Sequence, residues 1–349
     1  MRTRAADLLG VEFPICAFSH CRDVVAAVTN AGGFGVLGAV AHSPERLENE
    51  LTWIAEQTGG KPFGVDLLLP PKYVGSERGG IDAAQARDLL PEEHRAFVDD
   101  LLARYGVTAT VDQTRRPPGG LNISPKGYEP LLDVAFDHDI RLIASALGPP
   151  PADLVERAHD NDVLVAALAG TTRHAQRHAA AGVDLIVAQG TEAGWHTGHV
   201  ATLPLLQAAA PLAELAGTPL VGAGGIGTGA GIAAVLAAGA AGAWVGTRFA
   251  ASAEALGSPR AKARILAAES GETVHTRAYD LAAGLGWPAE YPGRALRSEF
   301  TDRWHGREAE LAKDPAAAAA ELAPAKGGPD PRPVYAGMAA GLVDDLPAA

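Results

Sequence analysis

Short runs of apolar residues recur along the chain, each followed by a longer stretch whose apolar positions return every three or four residues. The first pattern predicts strands buried on both faces, and the second predicts helices packed on one side. Eight runs qualify as strands: residues 14–18, 33–39, 63–69, 141–147, 163–169, 183–189, 219–223 and 242–246. Helices fit between them. Residues 22–30 close at Gly32 and Gly33, residues 172–181 open at a threonine and stop at Gly182, and residues 229–238 stop at Gly239. Glycine is the usual helix terminator because it enters the left-handed region without a Cβ penalty.

Eight strand–helix units in this length of chain predict an α/β protein of the (β/α)8 TIM-barrel class. A doubly wound open sheet has the same periodicity and stays open as the rival. Residues 70–130 interrupt the alternation after the third strand, with Pro70-Pro71, Gly79-Gly80 and Pro117-Pro118-Gly119-Gly120. They are too long for a plain βα loop and are expected to elaborate the C-terminal mouth of the barrel. Residues 313–333 are rich in Ala and Pro and read as a short helix and a linker, after which the apolar Val334-Tyr-Ala-Gly-Met-Ala-Ala-Gly-Leu-Val343 is expected to dock. The expected organisation is a barrel over residues 1–260, including the 70–130 insertion, and a helical extension with a docking tail over residues 261–349.

Composition narrows the partners. Of 349 residues, 47% are hydrophobic, which supports a large core, and the net charge of −12 excludes a partner that needs a basic face, such as nucleic acid or an anionic membrane. No apolar stretch reaches membrane-spanning length, and the N-terminal residues lack a secretory pattern. The only two cysteines, Cys16 and Cys21, form neither a disulfide framework nor a zinc-type spacing. The expectation is a cytoplasmic protein with reduced thiols, no metal and a small-molecule substrate; a homo-oligomer stays open.

The strongest chemical signal is Gly222-Ala-Gly-Gly-Ile-Gly-Thr-Gly229, which leaves the seventh strand and opens a helix. Glycines let an anion approach the backbone, and the N–H groups of a helix start point at it. The eighth strand ends in Gly246-Thr-Arg-Phe249, a second set of donors, and consecutive loops of this kind form phosphate sites in many barrels. A Rossmann site would want its glycine turn early and an acidic residue about 20 positions on. Here the turn is late and the equivalent stretch is apolar, which disfavours a dinucleotide.

A second signal is Ala188-Gln-Gly-Thr-Glu-Ala-Gly-Trp-His-Thr-Gly-His199 after the sixth strand. Gln189 could bond a polar ring edge such as that of a flavin, and His196 could move a proton near neutral pH. His199 is the weaker candidate, lying where the chain enters the next helix. A third cluster, Ala17-Phe-Ser-His-Cys21, either lines the pocket or caps the helix that follows. Asp66, at the end of the third strand, either faces the cofactor or pairs with a loop. The other histidines (His42, His94, His138, His159, His174, His178, His275, His305) are expected to be solvated.

Together these motifs resemble the nitronate monooxygenases, FMN-dependent barrel flavoproteins. The resemblance runs through Ala31-Gly-Gly-Phe-Gly-Val-Leu-Gly38, Phe63-Gly-Val-Asp66, the stretch from Gly182 to Gly194, Ala223-Gly-Gly-Ile226, Trp244-Val-Gly-Thr247, Gly293-Arg-Ala295 and Tyr335-Ala-Gly337. It implies oxidation of alkyl nitronates by O2 to a carbonyl compound and nitrite, with His196 as the catalytic residue. It places flavin contacts on Asp66, Gln189 and Gly194 and phosphate contacts on Gly224, Gly225, Gly246 and Thr247. Three positions depart from the family pattern: Trp195 stands where a second glycine is common, Asp66 where Asn is usual, and Ala17-Phe-Ser19 where the first strand usually carries Ala-Pro-Met. The long insert resembles a branch acting on CoA thioesters. Two alternatives therefore stand beside the first: an FMN-dependent NAD(P)H reductase or dehydrogenase of enoyl- or oxo-acyl thioesters, and a non-redox barrel that binds a phosphate ligand.

Overall fold

The computed structural model describes residues 2–69, 122–283, 289–314, 318–319, 321–322 and 332–349. The eight predicted strands are present within one or two residues of their expected ends. They are β1 (Ile15–Ser19), β2 (Phe34–Gly38), β3 (Gly64–Leu68), β4 (Leu142–Ala146), β5 (Leu164–Ala169), β6 (Leu185–Gln189), β8 (Leu220–Ala223) and β9 (Ala243–Val245). A two-residue strand, β7 (Trp195–His196), lies between β6 and β8 in the sequence. The eight longer strands pair in parallel in the order β1-β2-β3-β4-β5-β6-β8-β9, and β9 returns to β1 to close the barrel. Closure settles the fold as a (β/α)8 barrel and removes the open-sheet alternative.

Helices α1 (Arg4–Leu9), α2 (Arg22–Asn30), α3 (Pro44–Thr58), α4 (Pro125–Phe136), α5 (Ala152–Asp160), α6 (Thr172–Ala180), α7 (Thr202–Leu215), α8 (Gly229–Ala237) and the short α9 (Thr247–Ala250) accompany the strands. Their ends follow local chemistry. Ser43 and Thr171 cap α3 and α6 through their side-chain oxygens, and Gly182 and Gly239 follow α6 and α8 at φ +82° and +98°. The upper bound of 130 expected for the insertion falls inside α4, which begins with Pro125 directly after Ser124. Proline suits the first helical turn because its missing N–H would have no partner there. The rest of the insertion, residues 70–121, lies outside the described residues, as does most of the expected 313–333 linker.

The core has two layers. Alternate strand residues fill the barrel: Cys16, Phe34, Val36, Leu142, Ala144, Ala166, Leu185, Val187, Val221, Ala223 and Trp244, with Ala5 and Leu9 of α1 joining them. The intervening residues, among them Leu37, Val65, Leu67, Ile143, Val165 and Ile186, pack outward against the helices. Burial on both sides explains why the strands read as unbroken apolar runs.

Beyond the barrel come α10 (Pro259–Ala267), β10 (Thr273–Thr276), α11 (Ala278–Ala282), β11 (Gly293–Leu296) and α12 (Glu299–Trp304). The antiparallel pair β10–β11 takes in β7 as its third strand, with Gly293 opposite His196 and Arg294 opposite Trp195. The C-terminal part of the chain therefore grips the loop after β6. In the final segment Ala336, Ala339, Ala340 and Val343 are buried. Among the described residues, no helix is long and apolar enough to cross a membrane.

Candidate functional site

Register decides which side chains face the barrel mouth. Directly paired strand residues point to the same face of the sheet. Asp66 pairs with Gly38 and Ala144, and Ala144 belongs to the barrel interior, so Asp66 points inward. Gln189 pairs with Ala223, another interior residue, and also points inward at the top of β6. The floor of the mouth is thus made of small residues, with two polar side chains rising from it. That shape suits a flat ring with hydrogen-bonding edges.

Asp66 is 8% exposed and forms no side-chain hydrogen bond or ion pair among the described residues. Burial pushes its carboxyl up to about 8. At neutral pH it is a carboxylic acid with an O–H to donate. In that neutral form Asp66 has a donor at the position where the family pattern has an amide.

The raised value has a consequence for stability. The unfolded carboxyl releases its proton near 3.9, whereas the folded one keeps it to about 8. Between those values the native state binds more protons, so stability from this group falls as pH rises through the window. Asp66→Asn removes the penalty. Its melting temperature relative to wild type is expected to rise between pH 5 and pH 8.5, by an amount equivalent to up to roughly 4 kcal/mol. An unchanged difference across that range would show that ionised Asp66 carries no cost.

The loops after β8 and β9, where the sequence predicts a phosphate site, are built on glycine backbone. Gly224 and Gly225 have φ of +101° and +72°. Among the described residues, no acceptor bonds the N–H groups of Gly225, Ile226 and Gly227. A Cβ on Gly224 would lie 2.9 Å from both the Ala193 nitrogen and Thr202 Oγ1, so only glycine fits. Gly246 precedes α9 and Thr247 begins it; the Thr247 hydroxyl accepts from the Gly337 N–H at 2.9 Å. Gly194 sits so close to the tail that a Cβ would lie 2.9 Å from the Ala336 carbonyl carbon and the Gly337 nitrogen.

The loop between Gln189 and His196 is held from three sides. The Glu192 carboxylate accepts from the Thr202 N–H and hydroxyl, each at 2.8 Å, and so caps α7. Arg294 Nε donates to the Thr191 carbonyl at 2.6 Å, and the Met338 N–H donates to the Glu192 carbonyl at 2.9 Å. Glu192, Arg294 and the tail thus act as scaffolding for this segment. The sequence motif contained Glu192 without revealing its job.

His196 bonds Asp280 of α11, Nε2 to Oδ1, at 2.9 Å. Asp280 is 3% exposed, and its Oδ2 is buried with no partner among the described residues. A carboxylate partner at Nε2 favours the tautomer that carries its proton there and orients the ring. Sequence reasoning missed Asp280, which is 84 residues from its partner. It singled out Tyr335 without placing it at the site, where its ring lies 6.2 Å from that of His196.

Other candidates resolve differently. His199 is exposed and meets the His275 ring edge-on at 5.5 Å. Cys21 is buried, its thiol donates to the Glu254 carbonyl at 3.1 Å, and burial pushes it up, which opposes a nucleophilic role. Cys16, in the barrel interior, is pushed up to about 12. His20 belongs to the mouth, its Nδ1 2.9 Å from the Gly38 carbonyl. The expectation of solvated histidines fails at His178 and His42, which are 1% and 5% exposed. His178 turns inward from α6 to bond the Leu168 carbonyl at 3.0 Å, and burial pushes His42 down to about 4. His94 lies outside the described residues.

The family described as nitronate monooxygenase matches residues 2–345. A Mycobacterium tuberculosis protein whose name goes no further than monooxygenase is 65% identical over 305 residues, covering 87% of this chain and 78% of its own. A second protein of that organism, named (3aS,4S,5R,7aS)-5-hydroxy-7a-methyl-1-oxo-octahydro-1H-indene-4-carboxyl-CoA dehydrogenase, is 29% identical over 307 residues, covering 87% of this chain and 68% of its own. Among solved structures, a nitroalkane oxidase from Streptomyces ansochromogenes superposes with a TM-score of 0.69 at 27% identity, over 98% of this chain and 93% of the other.

Proposed function

This chain belongs to the nitronate monooxygenase family, a family of flavin-dependent oxidoreductases, and from that premise we propose that it binds FMN and oxidises alkyl nitronates with O2 to a carbonyl compound and nitrite. The observation that carries this reading is the His196–Asp280 pair at 2.9 Å, beside a mouth floored by small residues. Family membership sets aside the non-redox barrel.

The residues present fit the cofactor. The free N–H groups that follow Gly224, together with Gly246 and Thr247, would hold its phosphate. Asp66, Gln189 and the backbone at Gly194 would meet the edge of its ring. Bound there, the flavin would supply an electron acceptor that reacts with O2. The chain supplies the rest. On a neutral nitroalkane, His196 takes the proton from the carbon next to the nitro group. Asp280, bonded to Nε2 at 2.9 Å, holds the ring in place for that transfer. A nitronate arrives already deprotonated, and the same imidazole orients and stabilises the anion. The tail and β11 hold the loop that carries His196, so the histidine is delivered from a rigid support.

The holoprotein is expected to show flavin absorption and to release nitrite when a primary alkyl nitronate is added in air. The CoA-thioester dehydrogenase relative favours a second reading, oxidation or reduction of an acyl thioester at the same flavin. Retained flavin without nitrite release would transfer the assignment to that reading.

A further inference from the structure

Trp195 has a backbone that its side chain disfavours. Its φ is +62°, in the left-handed region where a bulky residue is an outlier and is held only by its surroundings. The structure fixes it from two directions. Arg294 pairs with it across the β11–β7 ladder, and Tyr335 of the tail stacks on its indole, centroids 4.2 Å apart and planes 15° apart. The same Tyr335 ring lies 6.2 Å from that of His196. On another side, the His20 ring meets the indole at 5.5 Å, and Phe18 meets His20 at 5.1 Å. Trp195 therefore reaches from the loop after β6 to the end of β1, across the positions of β8 and β9 in the barrel order. Despite these contacts it remains 44% exposed.

A strained residue, backed by a stacked ring and still open to solvent, is a contact surface prepared before any ligand arrives. The cluster is also uncharged at neutral pH. Phe18 and Trp195 do not titrate, burial pushes His20 below its ordinary value, and burial with nearby Asp280 pushes Tyr335 up. Such a wall rewards contact with apolar groups and gives a charged group no partner.

We propose that Trp195, backed by Tyr335, is the specificity-determining wall of the site, taking the apolar tail of an anionic substrate and selecting substrates longer than the smallest nitroalkanes. The proposal rests on the reading of His196 as the group that meets the anion. The nitronate head lies at His196, and the alkyl or aryl remainder runs along the exposed indole.

The test uses binding rather than turnover, so it stands apart from the nitronate assignment. Straight-chain carboxylates from acetate to hexanoate imitate nitronates in shape and charge without reacting. Their dissociation constants are read from the perturbation of the flavin spectrum in the holoprotein. In wild type, affinity is expected to rise by about threefold per methylene, near the value for burying each CH2. Trp195→Gly relieves the backbone strain and removes the wall; it is expected to fold, keep its flavin, and flatten the series to less than about 1.5-fold per methylene. Trp195→Phe keeps an apolar ring and is expected to retain most of the slope. Equal slopes in wild type and Trp195→Gly would overturn the proposal, as would a flat series in wild type. A steep wild-type series that the glycine variant flattens, in a protein that releases no nitrite, would uphold the wall and sink the nitronate reaction.

Discussion

His196→Asn is expected to lower turnover of neutral nitroalkanes by about 10²- to 10⁴-fold, the usual range for removing a general base. The introduced amide overlays the Nδ1 end of the ring and stops short of the Nε2 position, so the buried Asp280 carboxylate loses its partner there. The amide would have no basic lone pair, so the proton on the substrate carbon would have no acceptor. Preformed nitronates skip that step, and their oxidation is expected to fall much less. The separation between the two substrates is the informative quantity, since a misfolded site would lose both together. Equal rates on a neutral nitroalkane in both proteins, at matched flavin content, would remove His196 from the base role.

Gly225→Val is expected to lose the cofactor. Its φ of +72° penalises a β-branched residue by about 1–2 kcal/mol, and relaxing toward negative φ turns the N–H groups away from the phosphate position. Flavin affinity should fall by more than about tenfold. Room is not the obstacle, for an added Cβ would meet the Glu192 side chain at 3.3 Å, a contact that a small shift relieves. The variant should therefore fold, and its apo form should melt near that of apo wild type. Gly224 and Gly190 are different in kind, because a Cβ at either meets Thr202 and the backbone of neighbouring loops. Substitutions there should damage the fold as well as the cofactor site. A Gly225→Val protein that purifies with full flavin would remove the phosphate role from the loop after β8.

The barrel was legible because its strands are buried on both faces. Residues such as Leu185-Ile-Val-Ala188 have no polar side to break the run, and glycines punctuate the helices that follow. The glycines proposed to hold the phosphate stood out for a local reason, since they lie in two short segments. What lay beyond local pattern was carried by long-range contacts. Asp280 comes to His196 because β10 and β11 return to pair with β7, and nothing near residue 280 signals that return. Tyr335 reaches the same place through the docked tail. The burial of His178 depends on α6 turning that face inward, which its polar sequence, Thr172-Arg-His-Ala-Gln-Arg-His-Ala-Ala180, does not announce. The neutral state of Asp66 is likewise a property of its surroundings. Its identity reads as a departure from the family pattern, and only the apolar floor formed with Gly38 and Ala144 makes it a donor.

Nitronate oxidation at this site is tested most directly by anaerobic mixing of the purified holoprotein with an alkyl nitronate while the visible flavin band is followed. The nitronate is expected to bleach the band, and readmitted air is expected to restore it, with nitrite in solution. A band that nitronate leaves unchanged, and that NAD(P)H bleaches, would be incompatible with nitronate as the electron donor.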